Sequence, residues 1–117
     1  MRKAILIILL LPSLAHANWT ADDTRYQAAF IASAVADWGQ TLYIAGNPDE
    51  YKENNRILGS HPSRDKVNLY FPIAIGLHTV VAVALPKDYR RVWQLIWIGI
   101  ETGMIVHNTS IGIKVDF

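Results

Sequence analysis

The 117-residue chain has no cysteine. That excludes a disulfide framework, a thiolate metal site, a cysteine nucleophile and a cysteine-linked bacterial lipid anchor. Charge is scarce too: 18% of residues are charged against 51% apolar. A disordered, charge-solvated tail does not have that balance. The net charge of +1 is too small to mark a nucleic-acid binder. The usual metal spacings, H-E-x-x-H, Glu-x-x-His and His-x-His, are missing. So are a G-x-S-x-G nucleophile elbow and a glycine-rich phosphate loop. No cofactor is implied, and the length allows one domain.

Residues 1–17 have the three-part layout of a secretory signal. Arg2 and Lys3 form a basic start, Ala4 to Leu11 is an unbroken apolar run, and Ala15-His16-Ala17 offers an A-x-A cleavage site. The run falls short of the ~20 apolar residues of a membrane span. Cleavage would leave 18–117 as a single helical domain. It would remove Arg2 and Lys3, leaving nine basic against ten acidic residues, a charge of −1.

The remaining chain reads as all-α, with three main helices at about 21–45, 64–85 and 87–109. Thr20 can cap the first, with Asp22 and Asp23 at the positive end of its dipole. Ile31, Ala34, Val35, Trp38 and Leu42 share one face of this helix. Ser33, Asp37, Gln40 and Thr41 share the other, so the spacing predicts an amphipathic helix whose polar face is either solvated or turned toward another helix. Gly46 is a natural stop. Eight of the nineteen charges beyond residue 17 fall between Asp49 and Lys66, so the connecting segment 46–63 should be mostly wet. Asn47 and Pro48 can open a short helix near 48–54. Ser63 caps the second main helix, Pro72 should bend it or shift its start, and Pro86 opens the third. Residues 111–117 alternate apolar and polar, the pattern of a strand or of a short extended tail docked on the helices.

Two stretches nearly lack charge. Residues 67–86 carry none, and 92–113 carry only Glu101. Gln94, Glu101 and Asn108 recur every seven residues and so form one narrow polar stripe. A helix that is apolar all round is either the centre of a large core or in lipid. Twenty residues reach ~30 Å, about the hydrocarbon thickness of a bilayer. An antiparallel hairpin over 64–109 in the inner membrane is one reading. A soluble or homo-oligomeric bundle that hides these helices against a partner is the other.

His61, His78 and His107 lie beyond the signal. His78 and Glu101 stand in apolar helices, and with Asp37 and His107 they are the candidate buried polar groups. Helix rise places His78 level with Ile96 and Trp97, several ångströms from Glu101, so a ring contact is expected rather than a bond to the carboxylate. A periplasmic enzyme or metal binder would have to use Asp37, His78, Glu101 or His107. The plainer reading is hydrogen-bonded structure with no catalysis.

Several short patterns run through the chain: Asp37-Trp38-Gly39-Gln40-Thr41; Asn47-Pro48 with Tyr51 and Glu53; Leu58-Gly59-Ser60-His61-Pro62-Ser63; Tyr70-Phe71; His78; Leu85-Pro86; and Tyr89-Arg90. Together they resemble a family of small exported proteins encoded by tailed bacteriophages and prophages of Gram-negative bacteria. The resemblance implies a phage-type protein of the host envelope, periplasmic and associated with the inner membrane. It would meet an envelope or phage protein, without nucleic acid. Many such proteins begin as lipoproteins, and this chain departs from that pattern in having no cysteine. Exclusion of a second phage or assistance to host lysis fits such a protein. The wet segment, with Tyr51, Glu53, Arg56 and His61, is the candidate partner-binding surface.

Overall fold

The computed structural model describes residues 19–117; the signal assigned to 1–17 lies outside them. Three helices make up the fold: α1 (Ala21–Gly46), α2 (Arg64–Ala84) and α3 (Lys87–Ser110). No strand occurs among the described residues. The three-helix reading holds, with ends within a residue of those expected.

Each helix start has a local cause. Thr20 and Asp23 form a reciprocal capping box: the Thr20 hydroxyl accepts from Asp23 N–H, and the Asp23 carboxylate accepts from Thr20 N–H. Ser63 Oγ accepts from Lys66 N–H at 3.1 Å to cap α2. Leu85 and Pro86 alone separate α2 from α3, because Arg90 folds back on the end of α2. Its guanidinium donates to the carbonyls of Ala82, Val83 and Leu85, which a helix end leaves without intrahelical partners.

The connecting segment has turns but no helix near 48–54. Side chains take the backbone groups a helix would need. Glu53 Oε1 accepts from Asn54 N–H and Asn55 N–H, and Asn55 Oδ1 accepts from Ile57 N–H. Gly59 turns the chain at φ +83°, a conformation that favours glycine. Leu58 then roofs a small apolar core with Leu42, Val67 and Phe71. The tail 111–117 is extended without being a strand. It joins α1 through one hydrogen bond, Asp116 N–H to the Gly39 carbonyl at 3.0 Å. A side chain at Gly39 would collide with Val115 and Phe117.

The helices run up, down and up, so α1 and α3 are parallel. Their contacts keep a nearly constant register: Asp23 with Arg90, Gln27 with Gln94, and Gln40 with Asn108. Helix α2 runs antiparallel to α1, with Gln27 against Thr79 and Trp38 against Asn68. The hairpin of α2 and α3 exists in topology, but each helix packs mainly on α1 rather than on its sequence neighbour.

Both faces of α1 reach the interior: Ala34 and Leu42 of the apolar set are buried, and Trp38 packs against the core. Asp37, Gln40 and Thr41 are buried, while Ile31 and Val35 are exposed. The polar stripe of α3 turns inward to meet them, which buries Gln94 and Asn108. Conversely, Leu69, Ile73, Leu77 and Val80 on α2 and Val92, Leu95, Ile96 and Ile100 on α3 all face outward. A polar interhelical seam thus lies beneath an exterior rich in apolar side chains.

Candidate functional site

At one end of the seam, Asp23 and Arg90 are fully buried and 2.8 Å apart, and Arg91 adds a second contact at 3.2 Å. Burial pushes the Asp23 carboxyl up, but hydrogen bonds from Thr20, Arg90 and Arg91 outweigh it and hold the group below the usual carboxylate range. Trp19 lies against the Arg90 guanidinium, 4.8 Å from ring centre to charge.

From this pair a chain of amides leads inward. Gln94 Nε2 donates to the Asp23 carbonyl and to Gln27 Oε1. That fixes Gln27 with its Nε2 toward His78 Nδ1, at 3.1 Å, and Thr79 Oγ1, at 3.0 Å. With Nδ1 accepting, the neutral imidazole carries its proton on Nε2. That Nε2 is buried without a partner. The ring is stacked on Phe30 with centroids 3.5 Å apart and on Trp93 at 5.1 Å, with the edge of Trp97 nearby. The ring contact expected from helix rise is present, and His78 makes no bond to Glu101.

Further along the seam, the carboxyls of Asp37 and Glu101 line the same cavity and lie close enough to interact. Like charges this close disfavour each other, so the two carboxyls favour holding one proton between them. Glu53 approaches from the connecting segment, close enough to both acids to feel their charge. Burial is the main cause that pushes the Glu53 carboxyl above its ordinary value. The Asn55 and Asn54 amides and Thr41 pull it down, and the charge of Asp37 adds to the rise. One Glu53 oxygen, Oε2, has no hydrogen-bond partner, and the same holds for Glu101 Oε2.

Asp37, Glu101 and His78 also line one cavity of about 530 Å³ between the three helices. Its other walls are mostly apolar and aromatic, including Phe30, Phe71, Trp93 and Trp97. An apolar cavity with a few convergent polar groups is the usual form of a binding site.

The sequence-derived candidates divide accordingly. Asp37, His78 and Glu101 do come together around one cavity. His107 does not: it is exposed on α3, about 100° around the helix from buried Asn108. Arg56 and His61 are exposed on the connecting segment, and Tyr51 is half-buried, its hydroxyl donating to the Ile111 carbonyl at 3.3 Å. Glu53 is buried and belongs to the acid cluster rather than to an outer recognition surface. Among the described residues, no three His, Asp or Glu side chains are placed to hold a metal ion.

Asp23, Gln27, Arg90 and Gln94 form the best-connected part of the seam, and periodicity could have found them. Positions 23, 27, 30, 34, 37 and 41 of α1, and 90, 94, 97, 101, 104 and 108 of α3, follow the alternating three- and four-residue step of a helix–helix seam. The molecule is an all-α, three-helix bundle with its polar groups inside. No family model matches the chain, and no curated protein or solved structure matches it either.

Proposed function

We propose that the chain is a small cell-envelope protein of phage or prophage type, held in the inner membrane by its three helices, that works by contact with another protein and not by catalysis. The observation that carries the reading is the inverted distribution of polarity. From Tyr26 to Gly46 the one charged side chain is buried Asp37. From Val67 to Ala84 there is none, and from Val92 to Ser110 there is only half-buried Glu101. The exposed charges collect at the two ends: Asp22, Arg25, Lys87 and Asp88 at one, and Asp49, Lys52, Arg56, Arg64 and Lys66 at the other. Helix α2 is long and apolar enough to cross a bilayer by itself. Helices α1 and α3 have a weaker overall hydropathy because the polar residues on them are those that face each other. In lipid such groups serve as interhelical glue.

The membrane placement also bears on sidedness. A signal cleaved after Ala17 would start α1 outside the inner membrane. Three crossings then put the segment 47–63 on the cytoplasmic side; five basic residues, Lys52, Arg56, Arg64, Lys66 and Lys114, lie at that end against four, Arg25, Lys87, Arg90 and Arg91, at the other, so charge bias does not set the orientation. With α1 outside the bilayer and only α2 and α3 embedded, the segment would face the periplasm instead. Arg56, Ile57 and His61 stand out from the segment and supply a contact surface. Exclusion of a second phage and a part in host lysis are the roles that fit.

Two measurements test the proposal. Alkaline carbonate should leave the protein in the membrane pellet; release into the supernatant would refute the embedding. A Tyr51→Ala, Arg56→Ala, His61→Ala variant should accumulate normally but lose the phage phenotype, scored as plaques of a superinfecting phage and as lysis time. An unchanged phenotype would refute the contact role of the segment.

A further inference from the structure

The cavity beside Asp37 and Glu101 is a trough rather than a closed pocket. On α2 it is lined from Lys66 to Val81, on α3 by Trp93, Trp97 and Glu101, and on α1 by Phe30, Ala34 and Asp37. Fifteen helical steps give it a length of ~22 Å. It exists because α2 and α3 each pack on α1 and splay from one another, which leaves room on one side of the bundle. Its rim on α2 is Leu69, Ile73 and Leu77, exposed by 64%, 52% and 62%.

Among the described residues, no cation is paired with the acids in it. The ion pairs among the described residues lie at the ends of the bundle: Asp22 with Arg25, Asp116 with Arg64, and Asp23 with Arg90 and Arg91. The one cation lining the trough, Lys66, sits at its mouth and donates to the Leu58 carbonyl at 2.8 Å. Glu101 Oε2 is buried and unpartnered. Independently, His78 is 5% exposed, lines the same trough, and has a buried Nε2 with no acceptor. Two neighbouring carboxyls in one apolar trough are most stable when they share one proton, so the pair is complemented by a single positive charge.

We propose that this trough receives a transmembrane helix of a partner protein that carries one lysine or arginine near its middle, seated against Asp37 and Glu101. The proposal rests on the membrane placement above and names the partner's chemistry. Both acids lie near the middle of their uncharged stretches, Asp37 in 26–46 and Glu101 in 92–110, so the partner's base belongs at mid-bilayer depth. Acyl chains would fill the trough but leave the acids unpaired, which membranes tolerate poorly. A small amine would pair with them and leave most of the ~22 Å length empty. A helix with one base does both, and it completes a four-helix bundle.

The test uses the full chain in phosphatidylcholine vesicles and three synthetic 22-residue Leu/Ala peptides with Lys, Leu or Glu at the centre and a dansyl group alongside. Energy transfer from the protein's tryptophans reports binding. The Lys peptide should saturate at a mole fraction at least ten-fold lower than the Leu or Glu peptide. The double variant Asp37→Asn, Glu101→Gln should reduce that preference below three-fold. Each single variant keeps one carboxyl and should retain the preference. Equal binding of the Lys and Leu peptides, or a preference that survives the double substitution, would overturn the proposal. So would 4-phenylbutylamine giving a saturable, acid-dependent tryptophan signal while no peptide binds. Protein that fails to float with the vesicles would overturn the membrane placement itself. Floating protein without a Lys preference overturns only the partner assignment.

Discussion

Leu77 stands at the centre of the uncharged stretch of α2 and is 62% exposed. Its replacement by lysine has opposite consequences in water and in lipid. On a water-facing helix, a leucine this exposed holds little packing energy, so Leu77→Lys should change stability by about 0.5 kcal/mol or less. In a bilayer the exchange gives up a residue worth about −0.3 to −0.6 kcal/mol at mid-helix and installs one costing about 2.5 to 3.5 kcal/mol, a penalty of about 3–4 kcal/mol. At about 1.4 kcal/mol per factor of ten, the ratio of embedded to extractable protein should fall by about two to three orders of magnitude. Ile57, 74% exposed in the connecting segment, is the control: Ile57→Lys should leave the ratio unchanged. The assay is the carbonate-resistant fraction of each variant at matched expression. If Leu77→Lys behaved like Ile57→Lys, the apolar exterior would not be facing lipid, and the placement of all three helices would fall with it.

Other outcomes follow from particular contacts. Removing one partner of the buried Asp23–Arg90 pair leaves the other charge stranded, so Asp23→Ala and Arg90→Met should each cost about 3–5 kcal/mol. A double-mutant cycle read by denaturant titration in detergent should show the double variant well below the sum of the singles; additive costs would contradict a coupled pair. Because the Asp23 carboxyl is held low in the fold, its contribution is fully present above the ordinary carboxylate value and is lost as pH falls through the lower folded value. Glu53 has the opposite sign. Its folded value is raised, so it favours the fold below the ordinary carboxylate value and opposes it as pH rises through the folded one. Glu53→Gln keeps an oxygen for the Asn54 and Asn55 amides, and should stabilise the protein at neutral pH and flatten this part of the pH profile, measured by thermal melts. At Gly39, Cβ would stand 2.5 Å from Val115 and 2.8 Å from the Phe117 ring. Gly39→Ala should therefore release the tail to carboxypeptidase, while a helix-propensity gain of about 1 kcal/mol keeps the bundle itself folded.

The acid cluster shows how far local patterns reach. Asp37 and Glu101 were visible as polar residues in apolar helices, but their meeting depends on α1 and α3 being parallel and in register. Sixty-odd residues of intervening chain do not encode that locally. Glu53 illustrates the reverse failure. A glutamate in a wet, charged segment reads as exposed, yet two backbone amides draw it inward and bury it beside the other acids. His107 lies one residue from buried Asn108 and faces outward, because a helix turns 100° per residue and a neighbour of a buried position is seldom buried with it.

The sequence by itself determined the helices. Thr20 with Asp23, Ser63 and Pro86 mark their starts, Gly46 and the Leu85–Pro86 step mark their ends, and uncharged stretches of about twenty residues set their lengths; all of these act within a few residues along the chain. Tertiary structure alone decided which side chains of α1 are inside. Periodicity distinguishes two faces but does not say which solvent they meet. The apolar face would turn inward in water. Here the polar seam of α3 presents Arg90, Gln94 and Asn108 to Asp23, Gln27 and Gln40, and hydrogen bonds between those partners are made only when the polar faces close on each other, which leaves Ile31 and Val35 outside while Ala34 and Leu42 stay buried.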